Sequence, residues 1–237
     1  MPAPVRHLGS ASAGVVGFAF VLLAAPSCSE HRTTAPQPSA APRVVAFAPG
    51  IRLDYRVPQV EIDAEVILRQ GALELFAYSK APTPKEHESI LLLDVPAETV
   101  YQALGLIGLT PGSPPRYDPT TETVLPPSGD AVDVLVRYER GGRTVESSAC
   151  DWMLDLATRR PVARMPWLFA GSRRLGDGTF AANVEGTVVT VVDFDSAVLT
   201  PPAAHSSSDA ELWLAANTEA IPPLGTRVTL LLRPARP

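Results

Sequence analysis

The chain is short of lysine, of cysteine and of long apolar runs, and each shortage closes off a class of function. Among its 20 basic residues only Lys80 and Lys85 are lysine, and the arginines form no cluster. Nucleic-acid recognition rests on a basic stripe or patch, so with a net charge of −5 nucleic acid is not an expected partner. The same mild acidity argues against electrostatic docking on an anionic membrane. Cysteine occurs at Cys28 and Cys150 alone. An iron–sulfur cluster normally needs four thiolates, and this chain cannot supply them. If Cys28 is consumed by an anchor, no intrachain disulfide is left, and Cys150 reads as a small buried hydrophobe. Stability then rests on the core, which a domain of roughly 190 residues is large enough to build. No Gly-x-Ser-x-Gly nucleophile elbow occurs.

No apolar stretch reaches the about 20 residues that cross a hydrocarbon core. Ala13 to Ala25 (AGVVGFAFVLLAA) is shorter, follows Arg6 and precedes Cys28, which is the layout of an export signal. A cysteine at the expected cut site resembles a lipoprotein signal, with Cys28 lipidated as the first mature residue. Ala25-Pro26-Ser27-Cys28 departs from the usual Leu-small-Gly/Ala-Cys pattern at Pro26. Cleavage without lipidation and an uncleaved signal anchor therefore stay open beside it. Ser29 to Pro42 (SEHRTTAPQPSAAP) has no hydrophobic period and reads as an extended tether. The expected organisation is a signal over 1–27, a tether over 28–43 and one globular domain over 44–235, exported to the cell envelope and anchored to a membrane through lipid.

Within the domain strands dominate. Ile51, Leu53 and Tyr55 alternate with charged residues, as do Val60, Ile62, Ala64, Val66 and Leu68. After Arg69-Gln70-Gly71 the alternation resumes at Leu73, Leu75 and Ala77, which predicts a hairpin. Val132 to Tyr138 alternates again, and Gly141-Gly142 offers a reversal for Thr144 to Ser147. Thr187 to Phe194 is rich in β-branched residues, and Thr226 to Leu232 closes the sheet. Pro96 starts an amphipathic helix, over about 96–108, whose apolar face is Ala97, Val100, Tyr101, Leu104 and Ile107. Ala149, Trp152, Met153 and Leu156 suggest a second short helix near 149–156. Pro111 to Asp130 is Pro-rich and reads as a surface loop. The expected class is α+β with a mostly antiparallel sheet.

One stretch concentrates ionisable groups: Lys85-Glu86-His87-Glu88-Ser89, directly before Ile90-Leu91-Leu92-Leu93. This KEHES stretch and the helix ending in LGLxGLTPGxP at 104–114 resemble the YdjY-like domain of bacteria. WLFAGS at 167–172, Glu185-Gly186 before a valine-rich strand, His205-Ser206-Ser207 and Pro223-Leu224-Gly225-Thr226 fit the same pattern. The resemblance covers about Leu73 to Pro234. It implies an exported or envelope protein, in many cases a lipoprotein, and carries no established activity, so it assigns no catalytic residue.

The KEHES stretch, taken as a strand, puts Glu86 and Glu88 on one face and His87 and Ser89 on the other. The glutamates could share an arginine or a divalent cation. His87 could meet Ser89 or the distant His205, with Asp209 as a third ligand or orienter. The candidate ligand-binding residues are thus Glu86, His87, Glu88, Ser89, His205 and Ser206, and the candidate metal ligands are His87, His205 and Asp209. The blander alternative is a solvated, ion-paired strand entrance. The expected function is a membrane-tethered module that binds a small ligand or an envelope protein, with no resident cofactor. The alternative is a metal-dependent or acid–base enzyme built on Glu86, His87, Glu88 and His205.

Overall fold

The computed structural model describes residues 44–82 and 84–235. Cys28, the signal and the tether fall outside those residues. The chain begins with β1 (Val44–Ala48), β2 (Ile51–Asp54), β3 (Gln59–Val66), β4 (Leu75–Ser79) and β5 (Ser89–Leu93). Helix α1 (Ala97–Leu106) follows, then β6 (Arg116–Asp118), β7 (Thr123–Leu125), β8 (Ala131–Arg140), β9 (Arg143–Ser148) and β10 (Met153–Asp155). After β11 (Trp167–Phe169) come α2 (Ala181–Glu185), β12 (Thr187–Thr190), β13 (Leu199–Thr200), β14 (Leu214–Ala216) and β15 (Arg227–Pro234). The architecture is mixed α+β, built on an 11-stranded sheet that closes on itself.

The closed ring runs β3, β15, β8, β11, β13, β12, β4, β5 and back to β3. Most neighbours are antiparallel, while β4–β5 and β12–β13 are parallel. Closure comes from strands that change partner part-way along. One edge of β3 pairs with β2 through Gln59 to Ile62 and with β5 through Ala64 to Val66. In β8, Ala131 and Val132 face β11, and Leu135 to Arg140 face β9. Alternation then sorts the side chains. Val60, Ile62, Ala64 and Val66 are buried, while Glu61, Asp63 and Glu65 point outward. On the outer face Arg52, Glu61, Arg137, Glu146 and Arg233 form a cross-strand chain of ion pairs.

Helix α1 buries Ala97, Val100, Ala103 and Leu104 against β2, β3, β12 and α2. Tyr101 stands between Phe169 and Phe180, with ring centroids 5.5 and 5.4 Å away. The β8–β9 hairpin reverses at Gly141 and Gly142, both at positive φ, as a two-residue primed turn requires.

Two local expectations change. The run Leu73 to Ala77 does not fold back on β3, because β5 sits between β3 and β4. Alternation specifies which face a strand buries but says nothing about its neighbour, and Gly71 at φ 109° turns the chain away. Residues 72–73 bond instead to Ala215 and Leu214 of β14. Of the segment 149–156, only Ala149–Trp152 is helical, as a 3₁₀ turn capped reciprocally by Ser148 and Asp151. Met153–Asp155 then leaves as a strand paired with β14. The second α-helix is α2, ended by Gly186 at φ 75°. The Pro-rich stretch after α1 carries the small β6–β7 hairpin.

Candidate functional site

The two parallel pairings create the site. Parallel strands ordinarily need a crossover of a dozen or more residues, yet β4 and β5 are joined by 80–88 and β12 and β13 by 191–198 alone. Each link must run straight back along the strand it leaves, so both pass over the rim where β4 and β5 begin and β12 ends. Backbone bonds tie that rim together: Glu74 N and Leu75 N donate to Glu88 O, and Val191 N donates to Glu74 O.

Lys85 lies at the junction. Its Nζ donates to Glu74 Oε2 at 2.6 Å and to Glu88 Oε2 at 3.1 Å, and sits 5.0 Å from the centre of the Phe194 ring. Its side chain is only 16% exposed. The carboxyls of Glu74 and Glu88 thus meet at the same ammonium. Burial, and then the hydrogen bond with Glu88, raise the Glu74 pKa against the pull of Lys85. Burial would raise Glu88 too, but the hydrogen bonds with Glu74 and Lys85 outweigh it and hold Glu88 below the ordinary value. For Lys85 burial works to lower the ammonium, and the two glutamates reverse that, leaving it raised. The rim therefore holds one firm cation, one firm anion and one carboxyl inclined to keep its proton.

The neighbouring segment continues the cluster. Asp193 Oδ2 accepts the His205 backbone N–H at 3.1 Å, while Asp193 Oδ1 is buried with no partner among the described residues. The His205 ring stacks on Trp213, with centroids 3.8 Å apart and planes 11° from parallel. Trp213 Nε1 donates to Val191 O at 2.7 Å. Burial lowers the His205 pKa against the attraction of Asp193, and burial raises that of Asp193 against the His205 N–H. Both are biased toward the neutral form.

The candidates from the sequence fall on this rim with different fates. Residues 86–88 form a turn rather than an extended strand, with Glu88 N bonded to Lys85 O. The expected division into a glutamate face and a histidine face therefore does not apply. Glu86 is exposed, and His87 is 72% exposed with Nε2 3.1 Å from Glu88 Oε1. Ser89 is fully buried and donates to Leu91 O, so His87 has no hydroxyl to activate there. Ser206 is exposed and accepts from Ser208 N. No hydrogen bond or ring contact joins His87 to His205 among the described residues. Nor do the described residues contain a group of three or more His, Cys, Asp or Glu side chains placed to hold a metal. Asp209 lies on a single 3₁₀ turn after this loop.

Sequence reasoning missed Glu74, Asp193 and Phe194. Their only signal is topological: each is adjacent to the end of a strand that this rim collects. With fold and rim in view, the comparison with family models is decisive, since the YdjY domain matches residues 51–233, from the first residue of β2 nearly to the end of β15. The chain belongs to the YdjY domain family. In this YdjY domain the match takes in the whole closed ring together with α1 and α2. It leaves β1 just outside. No curated protein and no solved structure matched the chain.

Proposed function

We propose that the protein is an exported, membrane-tethered YdjY domain that binds a small ligand or an envelope protein at the rim formed by residues 85–88 and 193–213. The observation that carries this reading is the meeting of the two short crossovers, which sets an exposed Glu86 and His87 beside a half-buried Lys85, Phe194 and the His205–Trp213 stack. Such a surface offers charge of both signs and aromatic faces on a rigid frame, which suits recognition. Ser89, the hydroxyl nearest His87 in sequence, is buried and donates to Leu91 O, which argues against its activation as a nucleophile. The export reading is supported by Ala13–Ala25, and lipid attachment by the position of Cys28.

Purified full-length protein should be screened by thermal shift against divalent cations, carboxylates, amines and short peptides. Binding is expected to weaken about tenfold or more in His87→Ala or Trp213→Ala, a loss of about 1.4 kcal/mol, while the ligand-free Tm of His87→Ala is unchanged. Turnover of any substrate that vanishes in His87→Ala would overturn the proposal in favour of the acid–base or metal-dependent alternative. For lipid attachment, mass spectrometry of the mature protein is expected to find a modified Cys28 at the N-terminus. An unmodified Cys28 would leave cleavage alone or a signal anchor.

A further inference from the structure

The exposed apolar side chains are not spread evenly. Large hydrophobics exposed among the described residues are Val44, Val45, Tyr55, Val57, Leu106, Tyr117, Val124 and Leu224. The first four lie at one end of the sheet. Val44 pairs with Asp54, Asp54 pairs with Gln59, and Tyr55 to Pro58 form the turn between them. Val57 and Pro58 continue into a groove of about 530 Å³ shared with Leu135, Pro234 and Ala235.

We infer that this end of the barrel rests on the lipid surface to which the chain is tethered, with Tyr55 and Val57 entering the interfacial layer. The inference rests on the tethered reading given above and adds an orientation to it. The first argument is position along the chain. The described domain begins at Val44, inside this patch, and under the tethered reading Cys28 lies 16 residues before it. No other surface of the domain is as near to the anchor in sequence.

The second argument is chemistry. Tyr55-Arg56-Val57 combines an amphipathic ring, a guanidinium and an apolar side chain on one turn, the mixture that settles at a membrane interface. Arg56 is 52% exposed and is pinned by Asp54 at 2.8 Å, so the turn presents a neutral ion pair rather than an uncompensated charge. Asp133 and Arg233 likewise line the groove as opposite charges. This suits an apolar, partly inserted contact and matches a chain too acidic for electrostatic docking on anionic lipid.

The third argument is polarity of the whole barrel. Val66 pairs with Leu91 and Ala64 with Leu93, so the start of β5 lies at the far end of β3 from the Tyr55–Pro58 turn. The length of β3 is about 27 Å. Resting on the Tyr55 end therefore turns the Lys85–His205 rim away from the lipid, toward its ligand or partner.

The test reconstitutes the full-length chain in vesicles of zwitterionic and anionic phospholipid containing a headgroup-quencher lipid. A fluorescent amino acid is placed at position 57 or at position 86. Flotation of the protein with the vesicles reports the anchor, and quenching reports orientation. Quenching at position 57 is expected to exceed that at position 86 at least threefold, and Tyr55→Ser is expected to reduce the difference while flotation persists. Flotation with equal quenching at both positions would overturn the orientation and leave the tether standing. Absence of flotation would overturn the tether and the orientation together. A dimer seen by sedimentation that Val57→Ser abolishes would assign the patch to a second copy of the chain and overturn the proposal.

Discussion

At the residue scale, Lys85 is the side chain on which most depends. Replacing it with Met leaves two carboxyls in contact at a half-buried rim, with no cation between them. Breaking a buried pair from one side costs about 3–5 kcal/mol; with Glu88 only partly covered, solvent should reduce this to about 2 kcal/mol for Lys85→Met at pH 7. The loss should shrink at pH 5, because the carboxyl pair can then share a proton. Urea unfolding at the two pH values measures both effects, and equal losses at both would contradict the coupling. In the native chain the linkage has opposite signs at the two acids. The raised pKa of Glu74 contributes stability below its unfolded value of 4.5, lost as pH rises through the folded value. The lowered pKa of Glu88 contributes above 4.5 and is lost as pH falls. The two act on opposite sides of pH 4.5, Glu88 losing its contribution as pH falls below it and Glu74 as pH rises above it. Asp54 is different. The hydrogen bond from Arg56 holds it at about 2, below its ordinary 3.8, so its stabilisation is complete above 3.8 and fades as pH falls toward 2. Asp54→Asn should cost about 1 kcal/mol at pH 7 and markedly less at pH 2, as thermal unfolding across that range would register.

At the scale of elements, the positions that break the ring are glycines and crossovers rather than strand centres. Gly186 ends α2 at φ 75°, and a Cβ there would collide with the Tyr78 ring and the Ser79 carbonyl. Gly186→Ala should cost about 2–4 kcal/mol, whereas Gly141→Ala, strained in φ but open to solvent, should cost only about 1 kcal/mol. Chemical denaturation of both variants gives the comparison. What was legible in the sequence follows the same division. Val60–Val66, Val132–Tyr138 and α1 were readable because period and burial coincide there. The pairing of β3 with β5 was not, because alternation carries no information about partners. The rim was half readable. KEHES stood out as a cluster, but a strand model set its side chains on two faces, and the turn at residues 86–88 overrode that. Glu74 and Phe194 complete the site from segments with no motif of their own, and only the parallel crossovers explain their arrival.

At the scale of the molecule, the domain has two dissimilar ends. One gathers charge and aromatic rings around Lys85, and the other gathers Val44, Tyr55 and Val57 beside the entry of the chain. The cross-strand ion pairs on the outer face between them, from Arg52 through Glu61 and Arg137 to Glu146 and Arg233, keep that face soluble and individually add little. Ligand binding at the first end and lipid contact at the second should therefore be separable. Val57→Ser is expected to leave rim affinity unchanged within about twofold, and His87→Ala to leave vesicle flotation unchanged.

The place of β15 in the ring bears on how such a chain is made. β15 is the last strand among the described residues, yet it lies between β3 and β8, pairing with Val60–Glu65 on one side and Val132–Arg137 on the other. Until Arg227–Pro234 has emerged, β3 and β8 have no common neighbour and the ring stays open. Contacts of such long sequence separation form late and slowly. Ring closure therefore waits on β15, whose residues act as a latch on β3 and β8 together.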